Sequence, residues 1–260
     1  MAVAGRFEGK NIMVTGAGTG FGQTLAERAA QDGAANVIVH YRSSKKGAEE
    51  TAERVRAAGA QALLVQGDII SWDAIRAMAD TVYGELGSLD GLVNNVGDMA
   101  SGQNSWREVT EESIDHVLAV DIKGTMLMVH EFGQRMLDTQ ERGAIVNIGS
   151  TVIVRGSPRA PQYAAGKYGV LGITKSYAKA LAPTVRVNTF APGFMRTEAV
   201  LNRPDWKAGR GEELVKATPA GQIPPPEELA GSALYLLSDE AGHITGSYMI
   251  CDGGYSMLGA

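Results

Sequence analysis

The chain has 260 residues, of which 44% are hydrophobic and 20% are charged, and its formal net charge is −5. These values are typical of a globular protein with a sizeable core, and the acidic balance without a long basic run disfavours nucleic acid and anionic membrane surfaces as partners. No apolar stretch approaches the ~20 residues of a membrane helix, and residues 1–10 lack the apolar core of a signal peptide. A single cysteine, Cys251, cannot form an internal disulfide. We therefore predict a cytoplasmic protein.

Short apolar runs alternate with longer helical patterns along the chain. The predicted strands are Asn11–Thr15, Asn36–Tyr41, Ala62–Gln66, Gly91–Asn94, Gly143–Ile148, Val185–Phe190 and Tyr248–Cys251. The predicted helices are Gly20–Gly33, Lys45–Ala58, Ser71–Leu86, Glu111–Leu137, Ala160–Leu181 and Glu227–Leu237. Nearly continuous apolar strands are typical of a parallel sheet buried on both faces. We therefore predict a single-domain, doubly wound α/β Rossmann fold over residues 1–260, with a seven-stranded parallel sheet flanked by helices.

The first predicted strand leads into a glycine-rich loop of the pattern Thr-Gly-x-x-x-Gly-x-Gly, at residues 15–22. Such a turn lets the backbone approach a pyrophosphate, and the helix that follows offers free N–H groups at its N-terminus. A glycine-rich structural turn is the alternative. The position after the first strand of an α/β chain favours a dinucleotide, held by Gly16, Thr19, Gly20, Phe21 and Gly22.

The end of the second predicted strand indicates which dinucleotide binds. It reads His-Tyr-Arg-Ser-Ser-Lys-Lys from residue 40 and has no carboxylate that would hold the ribose of NAD. Arg42 offers a planar fork that matches the 2′-phosphate of NADP, and Ser43 adds a hydroxyl donor. Alternatively, Arg42 and the two lysines are solvent-exposed charges at the start of the next helix. We predict NADP in preference to NAD, with contacts from Tyr41, Arg42 and Ser43.

Three polar residues farther along the chain form a candidate proton-transfer site. Ser150 follows the fifth predicted strand, Tyr163 comes thirteen residues later, and Lys167 four residues after that. At positions i and i+4 of a helix, Tyr163 and Lys167 project from one face. Each residue alone is also compatible with a structural role, but their combination with the glycine loop favours an enzyme.

The three side chains suit the reduction of a carbonyl group. The reaction needs a hydride from the nicotinamide and a proton for the oxygen, which a tyrosine hydroxyl can donate. Tyrosine has a reference pKa of about 10, and a nearby ammonium favours the phenolate that the reverse reaction needs. A serine hydroxyl can hydrogen-bond the carbonyl oxygen as charge develops. We predict Ser150, Tyr163 and Lys167 as catalytic residues, with Lys167 also holding the nicotinamide ribose.

With these motifs the chain resembles the classical short-chain dehydrogenase/reductase family, over nearly its whole length. The matching segments are Thr15–Gly22, Asp68-Ile69, Asn94–Gly97, Ser150, Tyr163, Lys167, Pro192–Thr197 and Asp252–Gly254. The resemblance implies cofactor contacts at the adenine from Asp68 and Ile69, at the adenosine ribose from Asn95 and Gly97, and at the nicotinamide carboxamide from Pro192, Gly193, Phe194 and Thr197. It also implies a homotetramer or homodimer packed through the helices around Glu111–Leu137 and Ala160–Leu181.

Asp121 departs from the family pattern, in which an asparagine supports, through its backbone, a water that relays protons from the lysine. A carboxylate is nearly isosteric, but its charge can pair with Lys167 and offset the effect of that lysine on Tyr163. We predict Asp121 as a fourth catalytic residue. It is also the one argument for the alternative function, a catalytically silenced nucleotide-binding sensor or scaffold protein.

The sequence indicates the chemical class of the substrate but not its identity. The predicted pocket is mostly apolar with a few polar anchors and consists of Asp98, Met99, Val152, Val154, Arg155, Gln162, Phe194 and Trp206. Residues 196–226 form a long excursion that we predict to be a substrate loop. The arginines at 155, 159, 196 and 203 either meet an anionic substrate or an acyl carrier, or are surface charges on loops. The resemblance extends to 3-oxoacyl carrier-protein reductases and to sugar or polyol dehydrogenases, so the expected substrate is a small carbonyl compound, a 3-oxoacyl thioester or a sugar or polyol, with no metal.

Overall fold

The computed structural model describes residues 5–100, 102–139, 142–203 and 205–257. Three of the sequence predictions extend outside these ranges: the segment tested for a signal peptide at residues 1–4, the predicted substrate loop at Pro204 and the predicted domain at residues 258–260. The strands are β1 Asn11–Val14, β2 Asn36–Tyr41, β3 Gln61–Gln66, β4 Gly91–Asn94, β5 Gly143–Ile148, β6 Val185–Pro192 and β7 Tyr248–Cys251.

The helices lie between these strands. They are α1 Gly20–Gln31, α2 Lys45–Ala57, α3 Trp72–Leu86, α4 Glu111–Val117, α5 Thr125–Thr139, α6 Val152–Arg155, α7 Pro161–Ala180, α8 Glu198–Leu201, α9 Gly211–Ala217 and α10 Pro226–Tyr235. The segment Leu118–Gly124 is π-helical, and Trp206–Arg210 is a helical turn kinked at Gly209, where φ is +105°. Within the described ranges, no helix is both long and apolar enough to cross a bilayer.

The strands form one parallel sheet in the order β3-β2-β1-β4-β5-β6-β7. Successive strand residues face opposite hydrophobic layers: Ile12 and Val14 belong to the layer that includes α1 and α10, and Met13 to the layer that includes α3 and α5. Both faces of the sheet are therefore covered, which explains the nearly continuous apolar strands. The doubly wound, seven-stranded parallel fold predicted from the sequence is confirmed.

The strand order reverses between β1 and β4, and the site is built at this switch point. In open α/β sheets, ligands bind in the crevice beyond the carboxyl ends of the strands on either side of such a reversal. The glycine loop leaves β1 there, and Asn95 follows β4 there. The topology thus places the predicted cofactor residues beside each other.

Two predicted elements differ from the structure. The single helix expected at Glu111–Leu137 is interrupted by the π-helical turn Leu118–Gly124, and its last part runs on to Thr139. The predicted irregular loop at residues 196–226 contains α8 and α9. A π-helical turn is set by tertiary contacts and is common at functional sites, so apolar spacing in the sequence does not reveal it.

A chain of buried polar side chains joins the strands to the helix that carries the candidate catalytic residues. Asn94 on β4 donates to Asn147 on β5 (2.9 Å), Asn147 donates to Thr174 on α7 (2.9 Å), and the hydroxyls of Thr174 and Thr189 on β6 are 2.7 Å apart. Asn147, Thr174 and Thr189 are completely buried. This chain fixes α7 against three strands.

We expect Thr174→Val to lower the free energy of unfolding by about 1–3 kcal/mol, because it leaves buried polar partners without hydrogen bonds. Urea denaturation measures the change. The control is Thr81→Val, since Thr81 is exposed and bonds only to Ala77 of its own helix in the described contacts; its effect should stay within about 0.5 kcal/mol. Equal losses in the two variants would show that the buried chain adds no stability.

Candidate active site

The N-terminus of α1 is open toward the predicted pyrophosphate position. Thr19 has an extended backbone and its side chain makes no capping hydrogen bond, and the first turn contains no acidic residue. Thr19 and Gly20 are exposed. The free N–H groups and the positive end of the helix dipole can therefore receive an anion.

The glycine loop passes so close to its neighbours that side chains would not fit. A Cβ at Gly16, where φ is +63°, would lie 3.0 Å from Cγ2 of Val96, and a Cβ at Gly22 would lie 2.4 Å from the carbonyl oxygen of Gly16. Thr15 Oγ1 accepts the N–H groups of Asn95 (2.9 Å) and Val96 (3.1 Å) and ties the loop to the segment after β4. This cradle and the open helix end fit a dinucleotide pyrophosphate.

Arg42 directly follows β2 and has an acidic neighbour, Asp68, in the segment after β3. Its Nη1 is 3.7 Å from Oδ2 of Asp68, and the two side chains are 59% and 36% exposed. An exposed pair at this distance contributes at most about 1 kcal/mol, so Arg42 can leave Asp68 for a phosphate. Ser43 is exposed beside it.

Three of the predicted cofactor residues have side chains in the core. Phe21 is 7% exposed and stacks on Phe190 with ring centroids 6.3 Å apart. Tyr41 and Ile69 are also buried, in the two hydrophobic layers of the sheet. These three side chains therefore pack mainly against the protein and expose little surface to a cofactor.

Ser150, Tyr163 and Lys167 come from the end of β5 and the start of α7. The Nζ of Lys167 is 5.8 Å from the centre of the Tyr163 ring and donates to the Ile148 carbonyl (3.3 Å). Ser150 Oγ accepts the amide of Val152 (3.3 Å), so its own O–H can still donate to a substrate oxygen. The Tyr248 hydroxyl donates to the Ser150 carbonyl, an anchor that the sequence analysis missed.

Asp121 lies on the π-helical turn, and its side chain is fully buried. Its Oδ2 is 3.5 Å from Lys167 Nζ, and its Oδ1 accepts the backbone amide of Asp98 (3.0 Å). Burial raises the pKa of Asp121, and the charge of Lys167 opposes that rise. The structure thus brings together the carboxylate and the ammonium that the sequence only placed 46 residues apart.

Two glycines make room for this pair. A Cβ at Gly97 would lie 2.6 Å from Lys167 Nζ and 2.9 Å from Asp121 Oδ1, and a Cβ at Gly166 would lie 2.9 Å from Asp121 Oδ2. Gly97 was predicted from the family resemblance to line the ribose. Its contacts show that it also borders the buried ion pair.

The predicted carboxamide-binding segment follows β6. A Cβ at Gly193 would lie 2.6 Å from Cβ of Asp252, so the chain passes the end of β7 closely. The Phe194 ring meets the Tyr255 ring edge to face at 5.5 Å, and Thr197 caps α8. Pro192 ends β6 immediately before this segment.

Three of the four arginines considered for an anionic substrate have protein partners. Arg159 donates to the carbonyls of Met99 (3.1 Å), Ala100 (2.5 Å) and Gln103. Arg155 donates to the Tyr255 carbonyl (2.7 Å), and Arg203 pairs with Asp205 (2.7 Å). These guanidinium groups hold loops in place.

Two buried glutamines complete the same loop network. Gln103 donates to the Arg159 carbonyl (2.6 Å) and accepts from Gln162 (2.5 Å), which stands next to Tyr163. The segment after β4 and the segment before α7 are therefore linked in both directions. The sequence contains no local pattern that predicts the hydrogen bonds of Gln103 with Arg159 and Gln162.

Comparison with known proteins shows that the chain is similar to oxidoreductases. A family model described as Enoyl-(Acyl carrier protein) reductase matches residues 16–256. The 3-oxoacyl-acyl-carrier-protein reductase FabG of Staphylococcus aureus is 34% identical, over 95% of this chain and 98% of the relative.

Solved structures show the same likeness. A short-chain type dehydrogenase/reductase from Mycobacterium marinum has a TM-score of 0.87 and 30% identity, covering 96% of each chain. A gluconate 5-dehydrogenase from Burkholderia cenocepacia, in complex with NADP and tartrate, has a TM-score of 0.88 and 27% identity, covering 100% of each chain.

We expect Arg42→Ala to weaken the binding of NADPH by about 10- to 100-fold, because a charge-assisted contact to the 2′-phosphate is lost. NADH binding should change by less than about twofold, since NADH has no such phosphate. Titration of cofactor fluorescence measures both. Lys46→Ala is the control, because Lys46 is 91% exposed nearby. Equal weakening of NADPH and NADH would refute the role of Arg42.

Proposed function

Because this chain belongs to the short-chain dehydrogenase/reductase family and is an NAD(P)-dependent oxidoreductase of CH–OH groups, we propose that it interconverts a secondary alcohol and a ketone with Tyr163 as acid and base. The observation that supports the proposal is that Lys167 Nζ lies 5.8 Å from the centre of the Tyr163 ring and donates to the carbonyl of Ile148, two residues before Ser150 at the end of β5. We propose NADP as the preferred cofactor, from the position of Arg42.

Each side chain has one task in this proposal. The nicotinamide, when bound, supplies or accepts the hydride. The Tyr163 hydroxyl gives its proton to the carbonyl oxygen, and the Ser150 hydroxyl donates a hydrogen bond to that oxygen. Lys167 provides positive charge that favours the Tyr163 phenolate in the reverse direction. The dinucleotide is held by the glycine loop, Arg42 and the segment after β6.

For the substrate we propose a 3-oxoacyl thioester. The similarity to a 3-oxoacyl-acyl-carrier-protein reductase supports this class. A keto-sugar acid is the second candidate, from the similarity to a gluconate 5-dehydrogenase. Oxidation of NADPH with each substrate decides between them.

We expect Tyr163→Phe to reduce turnover by about 10²–10⁴-fold, because the proton donor is removed, while NADPH still binds. Loss of NADPH absorbance measures turnover. Tyr177→Phe is the control, since its hydroxyl contacts His130 (3.3 Å) away from the site. A Tyr163→Phe enzyme with full activity would exclude Tyr163 as the proton donor. A wild-type protein that binds NADPH but reduces no substrate would favour the sensor or scaffold alternative.

We expect Asp121→Asn to keep or raise turnover and to shift the pH profile of alcohol oxidation to lower pH. The substitution removes the negative charge beside Lys167, so the ammonium acts on Tyr163 unopposed. Turnover measured against pH tests this, with Asp115→Asn on the exposed side of α4 as control. A folded but inactive Asp121→Asn enzyme would show instead that the carboxylate is essential.

We also propose a homodimer or homotetramer that packs through α4, α5 and α7. Ile114, Met126 and Tyr168 on these helices are 37%, 42% and 54% exposed, which leaves apolar surface for a second copy. Light scattering coupled to size exclusion should give two or four times the mass of the chain. A monomer at micromolar concentration would contradict the proposal.

A further inference from the structure

His40, near the end of β2, is a buried histidine with both ring nitrogens in contact with the backbone. It is 1% exposed. The Gly16 amide lies 3.0 Å from Nδ1, and the Gly67 carbonyl oxygen lies 3.1 Å from Nε2. An amide N–H can only donate and a carbonyl can only accept. The ring is therefore the neutral tautomer with its proton on Nε2, and both nitrogens are satisfied.

The neutral ring is also the stable protonation state in this position. Burial lowers the pKa of His40 to about 4, against the raising effects of the Gly67 carbonyl and the Asp68 charge. A second ring proton would point at the Gly16 N–H and remove its acceptor. Near neutral pH the ring therefore serves as a fixed acceptor for Gly16.

The contacts of His40 lie on one side of the glycine loop. Besides the bond to Gly16, the His40 carbonyl accepts the amide of Ala17 (2.9 Å). On the other side, Asn95 donates its side-chain N–H to the Thr15 carbonyl (2.9 Å). Three consecutive residues of the loop are thus held between β2 and the segment after β4. His40 supplies the only side-chain contact from β2 to the loop among the described hydrogen bonds.

We propose that His40 is a positioning residue of the cofactor site, which holds the start of the glycine loop in the conformation that receives the pyrophosphate. The carbonyl chemistry assigned to Tyr163 needs no imidazole at this place, so the inference goes beyond the proposed function. It depends on dinucleotide binding alone, and binding can be measured when no substrate is turned over.

Two amide variants separate the two ring nitrogens. The side-chain oxygen of Asn at position 40 reaches the place of Nδ1 and can accept from Gly16, whereas Gln is longer and reaches the place of Nε2 near Gly67. We expect the NADPH dissociation constant of His40→Asn to stay within about twofold of wild type. That of His40→Gln should rise about tenfold, the effect of one buried hydrogen bond. Fluorescence titration of NADPH measures both.

Further readouts distinguish positioning from a general structural effect. At saturating NADPH, kcat should be equal in wild type and both variants, because only the loop is displaced. Binding of adenosine 2′-monophosphate, which lacks the pyrophosphate, should also be unchanged. Equal NADPH affinities of His40→Asn and His40→Gln, or a fall in kcat with unchanged affinity, would overturn the proposal.

If His40→Gln does not fold, the wild-type protein provides the test. With 15N-labelled histidine, Nδ1 of His40 should show the chemical shift of an unprotonated acceptor at neutral pH, and NADPH binding should change that shift. A protonated Nδ1, or a shift that NADPH leaves unchanged, would overturn the proposal.

Discussion

The ion pair between Lys167 and Asp121 is the interaction on which the rest of the site depends. Two charges buried in a protein are tolerated only when they face each other and fill their remaining hydrogen bonds. The Asp98 amide donates to Oδ1 of Asp121, the glycines at 97 and 166 leave room beside the pair, and Oδ2 has Lys167 as its ion-pair partner without a hydrogen bond. Tyr163 sits one helical turn before Lys167, so the pair also sets the charge near the proposed proton donor.

A second constraint acts on the cofactor half of the site. The glycine loop must come close to a pyrophosphate and still keep its own backbone hydrogen bonds. Thr15 and Asn95 hold it from the side of β4, and His40 holds it from the side of β2. Thr15 and Asn95 lie at the switch point between β1 and β4, and His40 lies on the neighbouring strand β2. The topology thus turns residues far apart in sequence into one cradle.

The walls of the site are held by polar side chains that bond to backbone atoms. Arg159 and Gln103 connect the segment after β4 with the segment before α7, and Arg155 connects α6 with the chain after β7. Three of the four arginines considered as contacts for an anionic substrate thus donate to protein atoms in this structure.

The sequence by itself determined the features that local chemistry controls. Apolar runs that alternate with helical patterns predicted the parallel doubly wound sheet. The Thr-Gly-x-x-x-Gly-x-Gly pattern predicted the loop after β1, and the spacing of Tyr163 and Lys167 predicted their shared helix face. Only the tertiary structure decided that the expected helix at Glu111–Leu137 contains a π-helical turn, that Asp68 reaches Arg42, and that His40 accepts from Gly16. The features in the first group depend on residues that are close together in the sequence, so a local pattern is enough to predict them. The second depends on which atoms of distant elements meet and lose water together, and no local pattern encodes that.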